Sequence, residues 1–366
     1  MIRVLQVVDH MGLGGIQAFI MNVYRNIDRN KVQFDFLVHK KGGNTFAEEI
    51  NRLGGIIHYV PARNEGILKN RRALDSFFKE HPEYKVVHQH ESSLSYIEPL
   101  IAAKNNNVPI RIIHSHSTRM GNSLIHKILH TLNSKRIHRI ATHYLACGKL
   151  AGEWLYGKSK VKDKFTVVIN GIKLSNFEFN EIVRGKVRND LCVDDDTTVF
   201  CHIGRFDTVK NHVFLVDIFN EIIKINPNSK LVLVGNGVLM NAIENKVNDL
   251  GLNDNVSFLG LRNDINQIVQ GADAVLLPSL YEGFPVTAIE AQAAGLPFFM
   301  SDSVSKEALI KRNSYALSLR YSAKQWAEFI IPRIERQIDN SIMYEKGFDI
   351  QNTVLTLYKI YCNGQR

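Results

Sequence analysis

The chain has 366 residues, 45% of them hydrophobic, and its 45 Lys and Arg against 36 Asp and Glu give a net charge of +9. That length buries two ordinary cores, so two domains are expected. The cysteines Cys147, Cys192, Cys201 and Cys362 are too scattered for a zinc site or a disulfide framework, and no stretch approaches the ~18 apolar residues of a membrane span.

At the start, Arg3 precedes only the short apolar run Val4–Val8, which Asp9 ends, so no signal peptide is expected. A reducing, cytoplasmic setting is the expectation. Charge is uneven. Residues 1–175 carry 26 Lys and Arg against 13 Asp and Glu, and 12 of the 14 histidines. The remainder carries 19 against 23. An anionic contact for the N-terminal half is therefore expected, a membrane surface at the inner face, an acidic acceptor or a nucleic acid, with ordinary solvation of a large surface as the competing reading; of these, nucleic acid is not retained among the expected partners.

Short β-branched runs alternate with longer amphipathic segments, the rhythm of parallel sheets covered by helices. Strands are expected at Val4–Val8, Phe34–Val38, Ile56–Val60, Val86–His88, Ile110–Ile113 and Thr166–Ile169, with helical spacing over Ala18–Tyr24, Ala73–Lys79 and Leu124–Leu132. After the turn dipeptide Asn170-Gly171 a second series begins, with a linker expected near 172–185. Its strands are Val199–Ile203, Leu231–Val234, Val256–Leu259, Ala274–Leu277 and Phe298–Met300, and its helices Val213–Ile225, Leu239–Leu250 and Val286–Ala294. The fold class is α/β, two Rossmann-like doubly wound domains facing a deep cleft at their strands' carboxyl ends. The expected division is 1–172 for the first domain and 173–348 for the second. Residues 349–366 form a helix returning toward the first.

Three motifs carry chemistry. Gly12-Leu13-Gly14-Gly15 follows the first strand and opens a helix, where glycines let backbone N–H groups approach a phosphate. Gln17, and His39-Lys40 where a dinucleotide fold wants an acidic residue, speak against NAD. Next, Gly204-Arg205-Phe206 and Lys210-Asn211-His212 place two cations at a strand end and a helix start, fit to bind a departing diphosphate. An ordinary basic surface loop is the competing reading. Last, Glu282-Gly283-Phe284-Pro285-Val286 leads into a helix carrying Glu290. Pro285 suits a first turn, and the free amides of Phe284, Val286 and Thr287 would face an anion. Glu290 has apolar neighbours on both sides, which argues against a solvated face.

The setting EGFPVTAIEAQAAGLP, with GRFDTVKNH before it and VINGI at the inter-domain link, resembles family 4 of the retaining glycosyltransferases, of bacterial surface-polysaccharide type and GT-B fold. The resemblance covers essentially the whole chain, and it implies that 1–172 is an acceptor-binding domain and 173–348 a nucleotide-sugar-binding domain. It implies that Arg205 and Lys210 bind the donor diphosphate and that Glu290 holds the ribose hydroxyls. Glu282, with the Gly283–Phe284 backbone, would hold the transferred sugar. Gly14 and Gly15 would approach the phosphate, and Gly235-Asn236-Gly237 with Leu261 and Arg262 would line the nucleotide pocket. The family often has Glu where Gln17 stands.

Strand Ile110–Ile113 runs into His114-Ser115-His116. The family places a histidine there near the donor's reactive carbon, and His114 aligns best, with His116 and Arg119 turned to the acceptor. His88-Gln89-His90 makes a zinc site the rival reading, and a hydrogen-bonding role is favoured over it. Asp194-Asp195-Asp196 reads as a solvated turn, so no metal or cofactor is expected. In Ser123–Arg139 the apolar stripe Leu124, Ile125, Ile128, Leu129 and Leu132 reads first as a core-facing helix with a basic outer face. An interfacial helix presenting a lipid-linked acceptor to an anionic membrane is the second reading.

The expected activity is retaining, metal-independent hexosyl transfer from a nucleotide-diphosphate sugar, UDP favoured over GDP, to a glycan or lipid-linked hydroxyl. It would serve exopolysaccharide or capsule synthesis. No residue stands out as a covalent nucleophile. The alternatives are a sugar-nucleotide 2-epimerase of the same fold, a phosphorylase-like enzyme with pyridoxal phosphate, and a non-catalytic nucleotide-sugar-binding subunit.

Overall fold

Strand β1 (Ile2–Val7) buries Val4, Leu5 and Val7 almost completely, because helices cover both faces of its sheet. The computed structural model containing it describes residues 1–12, 14–117 and 123–362. The chain divides into two units, residues 1–171 with 350–366, and residues 172–349.

In the first unit, β1 is joined by β2 (Val32–Val38), β3 (Ile57–Tyr59), β4 (Val86–Glu91), β5 (Ile110–Ser115), β6 (His143–Ala146) and β7 (Thr166–Val167). All pair in parallel, in the order β3-β2-β1-β4-β5-β6-β7. The helices are α1 (Gly15–Asn26), α2 (Ala47–Arg52), α3 (Ile67–Glu80), α4 (Glu98–Asn105), α5 (Leu124–Arg136) and α6 (Lys149–Tyr156). Two apolar clusters form, one around Phe19, Tyr24, Phe34 and Phe36, the other around Leu74, Phe78, Leu100 and Tyr156.

The second unit opens with α7 (Glu181–Asp190), so residues 181–185, expected in the linker, are already helical. Asn180 caps it by accepting from the amides of Ile182 and Val183. Its sheet, β8 (Thr198–Ile203), β9 (Ser229–Val234), β10 (Val256–Phe258), β11 (Ala274–Leu277), β12 (Phe298–Ser301) and β13 (Ser314–Leu317), runs in the order β10-β9-β8-β11-β12-β13. Between the strands lie α8 (His212–Ile225), α9 (Met240–Asp249), α10 (Ile265–Gly271), α11 (Val286–Ala293), α12 (Ala323–Ile330) and α13 (Ser341–Glu345). Trp326, Phe200, Phe219 and Leu276 sit in its core.

The chain then returns to the first unit. Helix α14 (Ile350–Cys362) buries Ile350, Val354, Leu357 and Tyr361 in the cluster that holds β1 and α1. Both sheets reverse direction beside their first strand, at β1/β4 and at β8/β11. In such sheets the carboxyl ends at the reversal are where ligands bind.

Helix α5 overturns the core-facing reading of its stripe. Leu124, Ile125, Ile128 and Leu132 are exposed, while His130, Asn133 and Ser134 are buried. The cause is a polar tether. The Leu94 amide donates to His130 Nδ1 at 3.1 Å, and Asn133 Nδ2 donates to the Leu94 carbonyl. These bonds turn the polar face inward and leave the apolar one outside.

Candidate active site

At the β8/β11 reversal, β8 ends at Ile203 and the chain turns through Gly204, Arg205 and Phe206. Phe206 is wholly buried and stacks on His212, so the turn is anchored by an aromatic side chain. Asp207 accepts from the amides of Val209 and Lys210 and shapes the next turn. Asn211 adopts a left-handed conformation and donates to the Pro278 carbonyl at 3.1 Å, and the Leu280 amide donates to Val209. The two motifs at the ends of β8 and β11 are therefore laced together.

That lacing brings Lys210 Nζ to 2.6 Å from Glu282 Oε1, with both side chains mostly buried. Gly204 makes room, since a Cβ there would stand 3.0 Å from the Lys210 stem. Arg205 is largely exposed, with Asp207 3.9 Å from its Nε, so its guanidinium is available to an incoming anion. Glu290 lies on α11, eight residues after Glu282, and no hydrogen bond or ion pair among the described residues occupies its carboxylate. Burial pushes that carboxyl up to about 7, and the Lys210 ammonium offsets part of the rise. Thr287 is buried in the first turn of α11, Val286 and Gly283 are half-buried, and the Phe284 ring stacks on Phe348.

The neighbouring strand end contributes glycines for a steric reason. Gly235 has φ 141°, and a Cβ on it would fall 2.0 Å from the Gly204 carbonyl oxygen. On Gly237 it would meet the Phe206 carbonyl at 2.4 Å. These glycines let the two loops touch, and Asn236 Oδ1 accepts from the Gly237 amide. Leu261 is exposed, whereas Arg262 is engaged by Asp264 through two nitrogens. Two histidines given no role in the sequence stand beside Lys210. His202 donates from Nδ1 to the Leu276 carbonyl, and burial, ahead of the Lys210 charge, pushes His212 down to about 4. Of the two, only His212 stands in a motif, Lys210-Asn211-His212, and nothing in the sequence marks His202 within β8.

In the first unit the corresponding strand ends carry a histidine cluster. Register sets His90 of β4 opposite His114 of β5. His90 Nε2 donates to Gln6 Oε1 at 2.8 Å, which leaves Nδ1 to accept from His116 Nε2, also at 2.8 Å. His88 Nε2 lies 3.1 Å from His114 Nδ1, and its other nitrogen 2.8 Å from the Tyr361 hydroxyl. Burial drives all four imidazoles well below their ordinary value, His116 to about 3, so they are neutral. The side chain of His114 is wholly buried and cannot itself touch a sugar, while His116, two residues nearer the strand end, keeps some exposure. His88, His90 and His114 approach one another closely enough to hold a metal ion. A cation there would displace the hydrogen bonds that already join these rings.

The glycine turn differs in detail from its sequence reading. The position that a Cβ would block is Gly12, 2.4 Å from the Gly43 carbonyl, whereas Gly15 faces open space and Gly14 meets only the flexible Gln17 side chain. Gln17 donates to the His10 carbonyl at 3.0 Å and so braces the turn. Arg119 lies outside the described residues.

Comparison with known proteins gives the site its context. Residues 183–348 match the family model for glycosyl transferases group 1, and residues 13–176 that for glycosyltransferase family 4. EpsF of Bacillus subtilis (strain 168), named as a glycosyltransferase, is 33% identical over 98% of this chain and 96% of its own length. An Escherichia coli UDP-Gal:alpha-D-GlcNAc-diphosphoundecaprenol alpha-1,3-galactosyltransferase is 31% identical over 82% of this chain and 79% of its own. The crystal structure of Anabaena Alr3699/HepE in complex with UDP superposes with a TM-score of 0.81 at 17% identity, covering 98% of this chain and 99% of that one. A full-length relative at this identity, with both family models matched and the fold shared, shows that this chain belongs to glycosyltransferase family 4 and has its GT-B fold.

Proposed function

We propose that the chain transfers a hexose, with retention, from a UDP-sugar to a hydroxyl of a lipid-linked glycan in surface-polysaccharide synthesis, without a metal. The observation that carries this reading is the grouping at the β8/β11 reversal: Arg205 exposed, Lys210 beside Glu282, and Glu290 with an unoccupied carboxylate. Two cations there neutralise the charge that develops on a departing diphosphate, which is the task a metal performs elsewhere. The Glu290 carboxylate, about one turn into α11, accepts from the two hydroxyls of a ribose. Relatives named for UDP-galactose and for capsule synthesis, and a structural neighbour solved with UDP, support the choice of donor and pathway class.

In this mechanism the bond between the anomeric carbon and the β-phosphate oxygen breaks as the acceptor oxygen bonds to the same face. The departing phosphate oxygen takes the acceptor's proton. Arg205 and Lys210 stabilise the leaving group, Glu282 and the Gly283 and Phe284 backbone position the sugar, and Gly235 to Gly237 line the nucleotide's place. Within the histidine cluster His116 keeps some exposure and is assigned to an acceptor hydroxyl, and His114 orients the cluster behind it.

The test is thermal melting with UDP and with GDP on the native chain and on Glu290→Ala. A ligand at about 100 times its dissociation constant adds about 2.7 kcal/mol of stability. We expect a shift with UDP that Glu290→Ala weakens, unchanged by a chelator. No shift with either nucleotide would remove the donor assignment, and a product with inverted anomeric configuration would remove retention.

A further inference from the structure

The two cations at the β8/β11 reversal stand in different states. The Arg205 side chain is 68% exposed, with the Asp207 carboxylate 3.9 Å from its Nε. That of Lys210 is 18% exposed and already paired, its Nζ 2.6 Å from Oε1 of Glu282, which is 17% exposed. Both partners of this pair are held in place. Asp207 accepts from the Val209 and Lys210 amides, and the Lys210 stem lies against Gly204, where a Cβ would stand 3.0 Å from it. The Leu280 amide donates to the Val209 carbonyl, two residues before Glu282, and Glu282 is itself bridged in parallel to Val304. A ligand that draws on Lys210 therefore meets the charge of Glu282 as well.

We propose that Glu282 selects the intact donor over the spent nucleotide: its charge weakens the hold of Lys210 on UDP, and a hydroxyl of the transferred sugar offsets that charge. The inference rests on the donor reading above and gives Glu282 a second task beside positioning the sugar. In a UDP-sugar the second phosphate is a diester with one charge, and the sugar brings hydroxyls that donate to a carboxylate. In UDP the terminal phosphate carries a second charge above about pH 6 and brings no sugar. Two anions then share one ammonium, and a mostly buried carboxylate is left short of partners, which is unfavourable. Arg205, exposed and largely uncommitted, holds either nucleotide, whereas the paired Lys210 tells them apart. Once the sugar has left, the site repels what remains, and product release follows from the same carboxylate that held the sugar.

The experiment is isothermal titration of the full chain at about pH 8, where the terminal phosphate of UDP is doubly charged. UDP, UDP-glucose and UDP-galactose are titrated without acceptor into the native chain, Glu282→Gln and Glu282→Asp. A glutamine oxygen still accepts from Lys210, so Glu282→Gln keeps the fold, which melting without ligand checks. We expect Glu282→Gln to bind UDP on the order of fivefold more tightly, the effect of one unit charge about 4 Å away in bulk water. Its affinity for whichever UDP-sugar the native chain prefers should fall. Glu282→Asp keeps the charge and should bind UDP as weakly as the native chain does. The selection is overturned if Glu282→Gln binds UDP no more tightly, if it tightens UDP and the UDP-sugar alike, or if Glu282→Asp tightens UDP as Glu282→Gln does. Each of these outcomes leaves the donor reading standing. A native chain that binds neither UDP nor a UDP-sugar overturns that reading and the selection with it, so the two failures are distinguishable.

Discussion

Glu290 has a carboxyl held at about 7, against an ordinary value of 4.5, because burial penalises its charge more than Lys210 repays it. Between those values the native chain keeps a proton that the unfolded chain has released. Stability therefore falls as pH rises from about 4.5 to about 7 and levels off above. Ligand binding runs the other way, because ribose hydroxyls donate to the ionised form. We expect the affinity for UDP-glucose, whose phosphates do not titrate in this range, to fall about tenfold from about pH 8 to about pH 6. In Glu290→Gln the profile should be flat over that range, with weaker binding throughout. Isothermal titration across pH measures both, and equal slopes in the two proteins would sink the assignment of Glu290 to the ribose. Gly235 shows a different kind of residue-scale constraint: its role is visible only once the Gly204 carbonyl stands 2.0 Å from where a Cβ would be.

At the scale of elements, the alternation of buried strands and amphipathic helices was legible because parallel strands covered on both faces read as unbroken apolar runs. The strands that escaped, β6 and β13, have four residues each and half-polar openings, His143-Tyr144 and Ser314-Tyr315. Helix α7 escaped because its sequence, EIVRGKVRND, is mostly polar. It is held by Arg188, fully buried, and Arg184, which both bind the Asp273 carboxylate, and that same carboxylate accepts from the Val199 amide. A salt-bridged seat gives no hydrophobic periodicity to find. The motifs at 204–212 and 282–290 were likewise visible one by one, but the ion pair between Lys210 and Glu282 joins positions 72 apart, which only the sheet order brings together. The misread face of α5 has the same origin, since amphipathicity gives a direction and the tether decides which way it points. For α7 we expect Asp273→Ala to cost about 3 kcal/mol, the lower end for stripping a partner from a buried ion, because carbonyls still surround Arg188. Urea unfolding measures it, and a loss below about 1 kcal/mol, the range of an exposed pair, would mean that α7 is seated by packing instead.

On the scale of the whole molecule, the chain's last helix belongs to its first unit. Helix α14 places Ile350, Val354, Leu357 and Tyr361 in the core beside β1 and α1, and the Tyr361 hydroxyl closes the His88 end of the histidine cluster. Each such side chain contributes about 1.5–3 kcal/mol on full burial. Four of them approach the ~5–15 kcal/mol that a whole domain has to spare. Deleting residues 350–366 should therefore unfold the first unit and spare the second, whose core residues all lie within 172–349. The chain supplies its own reporters, because its two tryptophans fall one to each unit, Trp154 in the first and Trp326 in the second. With Trp154→Phe or Trp326→Phe as background, urea unfolding can be followed in either unit alone. We expect the truncated chain to lose the Trp154 transition and to keep that of Trp326 at its original midpoint, with the UDP melting shift retained if the donor site lies wholly in residues 172–349. An equal fall in both midpoints would mean that the two units unfold as one, and an unchanged Trp154 midpoint would mean that α14 rests on a core already complete without it.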